Sequence, residues 1–202
     1  MNNNEKHSIE KYNLIAESYD ESFDGKFSAR YKEKMHGLIK VSTGDRVLDV
    51  GCGNGSLIGR IKHMGDITAF GVDISPNMIN ECKKRYNNIE FKISSGETLP
   101  FENEFFDLLT ICCVLHHLKS PKNFFKEAFR VLKSGGMLMV GEPWFHFPIK
   151  QIVDYIVSPI IKAGDNKLFS HTRLKKHFVD NGFIVVDAFK QGSIQIITGS
   201  KM

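Results

Sequence analysis

Residues 47–56 read Val47-Leu48-Asp49-Val50-Gly51-Cys52-Gly53-Asn54-Gly55-Ser56, a pattern typical of a β-strand that runs into a glycine-rich turn and then into a helix. Glycines permit positive φ and let a ligand approach the backbone where a side chain would block it. The amides at the start of the following helix would point into the space beyond the strand, where they can bind an anionic or polar group. This stretch therefore predicts a ligand site at the end of the first strand.

An acidic residue at the end of the next apolar run identifies the kind of ligand. Asp73 closes the sequence Gly71-Val72-Asp73, twenty residues after Gly53. A carboxylate at that place can accept hydrogen bonds from the two vicinal hydroxyls of a ribose. The turn reads G-x-G-x-G, whereas the dinucleotide fingerprint is G-x-G-x-x-G, and Ser56 stands where its third glycine would be. The pattern predicts a nucleoside cofactor and does not favour a dinucleotide.

Outside this stretch, short runs rich in β-branched residues alternate with segments of helical periodicity, which is typical of a parallel sheet flanked by helices. The predicted strands are residues 46–50, 67–72, 89–94, 106–112, 137–141, 183–189 and 193–199. Only a few residues around Gln191-Gly192 separate the last two, and so short a connection requires an antiparallel hairpin. We therefore expect a parallel sheet that ends in an antiparallel hairpin.

The predicted helices have recognisable ends. Ser75-Pro76 and Ser120-Pro121 each supply an N-cap residue followed by a proline at the first helical position. The second of these helices is expected to end just before Gly135, and Ser170 is expected to cap a later helix. At the front of the chain one continuous helix is expected to place four residues on a single face, namely Ile9, Tyr12, Ala16 and Tyr19.

Length and composition limit the class of protein. The 202 residues favour a single domain, and 42% hydrophobic with 25% charged residues is ordinary for a globular fold. These values exclude a disordered chain, a collagen-like repeat and a disulfide-dense scaffold. The formal net charge of +4 leaves a nucleic-acid partner open but does not argue for one.

Cysteine usage and the apolar runs predict the compartment. Cys52, Cys82, Cys112 and Cys113 form no C-x-x-C pair, which favours a reducing environment and gives no ligand spacing for zinc. Residues 1–9 lack the apolar core of a signal peptide, and the longest near-continuous apolar run, 108–115, is far shorter than the ~20 residues that span a bilayer. We therefore expect a cytoplasmic protein without a metal site or a membrane span.

Several segments, taken together, resemble the motifs of class I S-adenosylmethionine-dependent methyltransferases, and in particular the small-molecule branch similar to the enzymes of quinone biosynthesis. They are Asp49-Val50-Gly51-Cys52-Gly53-Asn54-Gly55, Asp73-Ile74-Ser75, Leu99-Pro100-Phe101, Phe106-Asp107, Leu115-His116-His117 and Arg130-Val131-Leu132-Lys133-Ser134-Gly135-Gly136. The resemblance covers roughly residues 10–200. It implies a Rossmann-like α/β fold with a seven-stranded sheet in the order 3-2-1-4-5-7-6, in which strand 7 is antiparallel. It also implies S-adenosyl-L-methionine as cofactor and methyl transfer to a small-molecule acceptor.

The resemblance assigns cofactor-binding roles to individual residues. The backbones of Gly51, Cys52 and Gly53 would pass under the methionine part of the cofactor. Asp49, at the end of the strand, would contact its amino group directly or through water. Asp73 would hold both ribose hydroxyls. Two apolar side chains would lie against the adenine, with Ile74 flanking it and Met78 packing on its face, although Met78 could equally be a core residue.

Four further residues complete the implied cofactor site. Ser95 stands where many relatives have an aspartate that accepts from the adenine amino group, so adenine recognition would be weaker or would depend on the backbone of Ser95 and Gly96. Cys112 would face the amino-acid part of the cofactor with its backbone. Tyr19 would sit over the cofactor, where an aromatic face attracts a sulfonium cation.

The acceptor side is less defined by the sequence. Residues 1–202 are expected to form one methyltransferase domain, with 1–40 as an N-terminal helical cap and 142–169, including Trp144, Phe147 and Tyr155, as a substrate-side segment. Methyl transfer needs no nucleophile from the protein, so the catalytic residue stays unknown, and a role as base is open for His116 or His117. Two alternatives remain, a nucleic-acid methyltransferase and a cofactor-binding module without activity, and the oligomeric state is left open.

Overall fold

The computed structural model describes residues 3–144 and 168–202, over which helices and strands alternate. The helices are α1 (Asn3–Ile15), α2 (Phe23–Leu38), α3 (Ser56–Lys62), α4 (Pro76–Arg85), α5 (Pro121–Val131) and α6 (His171–Asp180). The strands are β1 (Arg46–Val50), β2 (Thr68–Asp73), β3 (Glu90–Ile93), β4 (Phe106–Cys112), β5 (Leu132–Pro143), β6 (Phe183–Gln191) and β7 (Ile194–Lys201). Two short 3₁₀ helices, Tyr19–Glu21 and Leu115–His117, lie between them.

One seven-stranded sheet has the order β3-β2-β1-β4-β5-β7-β6. Strands β1 to β5 pair in parallel, and β7 pairs antiparallel with both β5 and β6. The predicted order and the antiparallel hairpin are therefore confirmed. Because β1, β2 and β4 are parallel, the residues that follow their carboxyl ends meet at one edge of the sheet.

Strand β5 is longer than predicted. It begins at Leu132, because Leu132 already pairs with Phe106 of β4, and the register then shifts before Leu108 pairs with Met137. Consequently α5 ends at Val131, and Gly135 lies within β5 instead of just past the helix.

The predicted serine caps are confirmed at three helices. The hydroxyl oxygen of Ser75 accepts a hydrogen bond from the Met78 amide at 3.1 Å. Ser120 accepts from Asn123 at 3.3 Å in the same way, and Ser170 accepts from Arg173 at 3.2 Å. Each serine therefore satisfies one amide that the first turn of its helix leaves without a partner.

The expectation of one continuous N-terminal helix through Tyr19 is wrong. Helix α1 ends at Ile15, and the chain turns through the separate 3₁₀ helix before α2 begins. Ser22 stabilises this turn, because its hydroxyl donates to the Tyr19 carbonyl at 2.6 Å and accepts from the Gly25 amide at 3.0 Å. Ala16 and Tyr19 nevertheless pack on the same side of the chain, together with Met78 of α4.

Helix α1 is attached to the start of α4 through hydrogen bonds of Asn13. The Asn13 side-chain oxygen accepts from the Ser75 hydroxyl at 2.7 Å and from the Asn77 amide at 3.2 Å. The Asn13 carbonyl also accepts from the Asn77 side chain at 3.1 Å. These contacts hold α1 over the carboxyl ends of the central strands.

The sheet is covered by apolar side chains on both faces, which form two buried clusters. One cluster contains Phe106, Phe124, Phe125 and Phe178, and the other contains Tyr31, Met35, Leu57 and Ile58. In residues 3–144 and 168–202, no helix has the length and apolar character needed to cross a membrane.

Candidate functional site

A cavity of about 820 Å³, counting the part that opens to solvent, lies at the carboxyl ends of β1, β2 and β4 and beneath α1. Nine of the predicted cofactor residues line it: Tyr19, Gly51, Gly53, Asp73, Ile74, Met78, Ser95, Gly96 and Cys112. Ten further residues also line it: Ser8, Tyr12, Lys32, Val50, Ser94, Glu97, Cys113, Val114, His117 and Leu118. The fold thus collects most of the predicted site in one place.

The glycine turn forms the floor of this cavity. Gly51, Gly53 and Gly55 have φ values of 67°, 55° and 81°, which other residues rarely adopt. The amides of Gly51 and Cys52 donate to the Val72 carbonyl at 2.8 and 3.0 Å, so the turn is held against the end of β2. The chain therefore presents backbone, without side chains, to a ligand in the cavity.

Asp73 connects the turn to β2. Its Oδ2 accepts from the Gly53 amide at 2.9 Å, and its Oδ1 accepts from the Ser75 amide at 2.9 Å. Burial raises the pKa of Asp73, and these amides act in the opposite direction because they favour the charged form. A carboxylate has about four acceptor positions. Each oxygen therefore keeps capacity for one of two vicinal hydroxyls.

The walls beside Asp73 combine apolar side chains with polar groups. Ile74 and Met78 supply apolar surface, and Ser95 and Gly96 supply backbone and one hydroxyl. The Ser95 hydroxyl oxygen accepts from the Glu97 amide at 3.2 Å, which leaves its proton available for another acceptor. The hydroxyl oxygen also keeps a second lone pair, and the hydrogen bond that Ser95 is expected to accept from an adenine amino group stays a prediction.

Asp49 and Cys52 lie behind the cavity wall. Asp49 is 2% exposed, and its Oδ1 accepts from the Thr110 hydroxyl at 2.7 Å. Cys52 is 1% exposed and packs in the apolar cluster behind the turn. Of the two predicted contacts of Asp49 with the amino group of the cofactor, the one through water therefore fits its position better, and Cys52 is left with the predicted role of its backbone.

The burial of Asp49 predicts a pH-dependent stability. Burial raises its pKa to about 7, while the hydrogen bond from Thr110 and the nearby Lys32 act in the opposite direction. Between the unfolded value of 3.8 and this native value the folded protein binds more protons than the unfolded chain. Protonated Asp49 therefore contributes its full stabilisation of the folded protein below pH 3.8. This contribution is lost as the pH rises from 3.8 through 7.

We expect the unliganded wild type to lose about 2–3 kcal/mol relative to Asp49→Asn between pH 5 and pH 8, because one pKa unit corresponds to about 1.4 kcal/mol. Denaturant unfolding of both proteins at the two pH values measures this difference. The asparagine variant is the control, since it keeps the shape and an acceptor for Thr110 but does not titrate. A difference that stays constant with pH would contradict the assignment.

Lys32 is a functional candidate that the sequence analysis missed. It is 7% exposed, lines the cavity, donates from Nζ to the Ser56 hydroxyl at 3.0 Å and lies 5.2 Å from the centre of the Tyr19 ring. Burial opposes its charge, but neighbouring ionisable groups outweigh burial and raise the pKa of Lys32. The side chain is therefore a buried cation at neutral pH.

A periodicity signal could have revealed Lys32. Ser28, Tyr31 and Met35, the other residues on its side of α2, are all buried. Lys32 follows Ser28 by four positions and precedes Met35 by three. It therefore lies on the face of α2 that turns toward the core. Arg30, a cation two positions earlier on the same helix, is exposed.

The sequence does not predict Cys113 as a site residue, whereas it predicts Trp144, Phe147 and Tyr155 on the acceptor side. Cys113 follows β4 with a φ of 56° and lines the cavity beside Cys112. Trp144 is half-buried against the β6–β7 hairpin, where its amide donates to the Ser193 carbonyl at 2.8 Å and Lys190 Nζ lies 3.5 Å from its ring centre. Phe147 and Tyr155 lie outside the described residues. Within the described ranges no cluster of His, Cys, Asp and Glu is placed to hold a metal ion.

Comparison with known proteins defines the class. The sequence model of a family described as "Methyltransferase domain" matches residues 48–140. A demethylmenaquinone methyltransferase from Symbiobacterium thermophilum is 32% identical over an alignment 239 positions long, gaps included, which covers 98% of this chain and 93% of that protein. Another from Tropheryma whipplei is 33% identical over 147 residues, covering 68% of this chain. This chain spans only 60% of the length of the Tropheryma relative.

The solved structures agree with the fold. A SAM-dependent methyltransferase from Thermotoga maritima superposes with a TM-score of 0.78 at 21% identity, covering 97% of this chain and 100% of that one. The chain belongs to the class I S-adenosylmethionine-dependent methyltransferase family. The predicted family, the fold class and S-adenosylmethionine as the cofactor of the class are thereby confirmed.

Proposed function

We propose that this chain transfers a methyl group from S-adenosylmethionine to a small-molecule acceptor. One observation carries the proposal: the Asp73 carboxylate, fixed by the Gly53 and Ser75 amides, opens into a cavity floored by a glycine turn. That combination fits a ribose beside an adenine and a flexible amino-acid tail. The relatives named as demethylmenaquinone methyltransferases support a quinone-type acceptor.

The proposed cofactor contacts follow from the cavity. Asp73 accepts from the ribose hydroxyls, Ile74 and Met78 enclose the adenine, and Ser95 with Gly96 borders its polar edge. The methionine part lies above the backbones of Gly51, Cys52 and Gly53. Tyr19 and Cys112 lie beside it. Asp49, which is buried and does not line the cavity, acts on this part from outside the lining. Lys32 neutralises the carboxylate of that part, because it is the buried cation that lines the cavity next to Ser56 at the start of α3.

When bound, S-adenosylmethionine supplies an electrophilic methyl group that is transferred by in-line displacement. The protein orients the two reactants and excludes water, since a bimolecular step becomes effectively unimolecular once both are held. Helix α1, attached through Asn13, covers the cavity and shields it from solvent. A cap of residues 1–40 and a substrate-side segment of 142–169 belong to this proposal as one domain.

Two features bear on partners and location. The end of β4 and the two residues that follow it read Ile111-Cys112-Cys113-Val114, whereas enzymes that modify exocyclic base amines typically have Asn/Asp-Pro-Pro-aromatic there, so a nucleic-acid acceptor is the weaker candidate. All four cysteines are free thiols, which supports a reducing compartment such as the cytoplasm.

The function is tested in two stages. Calorimetric titration with S-adenosylmethionine, S-adenosylhomocysteine and NAD should show binding of the first two and none of NAD. Incubation with a heat-treated bacterial cell extract should then form S-adenosylhomocysteine, and nuclease treatment of the extract should not change the yield. Binding without turnover would favour the non-catalytic module, and nuclease-sensitive turnover would favour a nucleic-acid acceptor.

Lys32→Met should weaken S-adenosylmethionine binding about tenfold, because a charge-assisted hydrogen bond to a carboxylate contributes about 1.5 kcal/mol or more. Calorimetry measures the change, and exposed Arg30→Gln is the matched control that should bind like the wild type. Methylthioadenosine, which lacks the amino-acid part, should bind Lys32→Met and the wild type equally. Equal losses of affinity for S-adenosylmethionine and methylthioadenosine would show that Lys32 does not contact the carboxylate of the cofactor.

A further inference from the structure

Two side chains that line the cavity contact each other there. Neither of them has a role in the proposed cofactor contacts. Tyr12 comes from α1, and His117 comes from the 3₁₀ helix after β4, 105 residues later in the chain. The Tyr12 hydroxyl lies 3.3 Å from His117 Nε2, and the two rings meet edge to face at 6.0 Å between centres. Both residues line the cavity. A phenol hydrogen-bonded to an imidazole is an arrangement that can carry a proton.

His117 packs against His116, which is paired with the buried Glu142. Its ring lies 4.1 Å, centre to centre, from the ring of His116, and His116 Nδ1 lies 2.6 Å from Glu142 Oε2. Glu142 is fully buried in β5, and its Oε1 accepts from the Leu115 amide at 2.9 Å. Because a carboxylate only accepts, His116 donates from Nδ1. The pair therefore fixes the Leu115–His117 turn to the sheet.

We propose that Tyr12 and His117 form a proton relay for the acceptor, and that Glu142 and His116 are positioning residues for it. This inference rests on the proposed methyl transfer. The Tyr12 oxygen takes the proton of the acceptor's nucleophilic group while the Tyr12 proton passes to His117 Nε2. The electron pair left on the acceptor forms the bond to the methyl carbon. The bond from that carbon to sulfur breaks, and its electron pair stays on the sulfur of neutral S-adenosylhomocysteine.

The other polar groups of the cavity are less suited to this step. Both Asp73 oxygens are held by backbone amides and are assigned to the ribose. The Glu97 Oε1 accepts from the Ser120 amide at 3.1 Å. Burial raises the pKa of the Cys113 thiol well above its ordinary value, so it does not ionise near neutral pH. Histidine, by contrast, ordinarily exchanges protons close to pH 7.

The relay defines the acceptor class. Its nucleophilic atom must carry, or stand conjugated to, a proton that leaves during transfer, as in a phenol, an enol or a hydroquinone. A tertiary amine or a thioether, which gains a methyl group without losing a proton, would have no use for Tyr12 and His117. The test therefore compares variants on an acceptor of the first kind.

The experiment measures S-adenosylhomocysteine formation by Tyr12→Phe, His117→Gln and the control His63→Gln, which alters an exposed histidine at the end of α3. The acceptors are 1,4-dihydroxynaphthalene and the small-molecule fraction of a bacterial extract. We expect kcat to fall about 100-fold in both relay variants, within the range of general acid–base catalysis. The KM for S-adenosylmethionine, the Kd for S-adenosylhomocysteine and the melting temperature should stay close to wild type, and His63→Gln should be fully active.

The positioning pair has its own test. His116→Asn keeps an N–H donor near the place of Nδ1 and should retain activity within a few fold, whereas His116→Ala should lose at least tenfold in kcat at unchanged KM. Loss of activity in His116→Asn equal to that in His116→Ala would overturn the positioning role and make His116 itself the base.

Other outcomes distinguish a failure of the proton relay from a failure of the proposed methyl transfer. Relay variants with wild-type kcat, or with equal losses in S-adenosylhomocysteine affinity and kcat, would overturn the relay while leaving methyl transfer in place. A wild-type protein that forms no S-adenosylhomocysteine with any acceptor would overturn the proposed function and the relay with it.

Discussion

Replacing Gly53 with valine should abolish S-adenosylmethionine binding, with a loss of at least about 100-fold, while the sheet remains folded. Gly53 has a φ of 55°, which a β-branched residue strongly disfavours. A Cβ at this position would meet the Tyr19 ring at 3.8 Å, an ordinary contact, so the side chain fits the protein but occupies the ligand's space. Calorimetric titration together with circular dichroism measures both effects.

Gly44 provides the matched control for this substitution. It has a φ of 87° in the exposed turn before β1, and a Cβ there would meet nothing within 4 Å. Gly44→Val therefore introduces similar backbone strain far from the cavity and should lower stability without changing affinity. Gly51 is a poorer test, because a Cβ there would collide with the Val114 side chain. A loss of affinity in such a variant could then come from disturbed folding as well as from a blocked site. Binding by Gly53→Val within tenfold of the wild type would refute this role of the turn.

Asp73→Ala should weaken S-adenosylmethionine binding about 100-fold. The change removes the acceptor for both ribose hydroxyls, and each hydrogen bond to a charged group contributes about 1.5–3 kcal/mol. It also frees the Gly53 and Ser75 amides, which the carboxylate holds at 2.9 Å, so the floor of the cavity loses one of its attachments to β2 and keeps those from Gly51 and Cys52 to Val72. Asp73→Asn keeps one acceptor oxygen and should lose only about tenfold.

Methylthioadenosine separates Asp73 from Lys32 in the same titrations. It contains the ribose but lacks the amino-acid carboxylate, so its affinity should fall in Asp73→Ala and stay constant in Lys32→Met. An Asp73→Ala protein that is folded and binds both ligands like the wild type would remove Asp73 from the site.

Much of the fold could be predicted because its signals are local in the chain. The strand, the glycine turn and the helix of residues 47–56 are contiguous, and the serine caps of α4 and α5 depend on residues three positions apart. The short connection around Gly192 allows only a hairpin, whose antiparallel pairing is confirmed. The end of α1 was predicted wrongly, because apolar periodicity continues through Tyr19 although the chain turns after Ile15.

By itself, the sequence determined the family resemblance and the cofactor class, since these rest on contiguous motifs and on Asp73 at a fixed distance from the turn, and the strand order followed as what the resemblance implies. Only the tertiary structure decided which side chains share the cavity. It placed Asp49 behind the wall, brought Lys32 to Ser56 and joined Tyr12 to His117. The physical reason is that these contacts link residues 24 to 105 positions apart, whose meeting depends on how strands pair and helices pack.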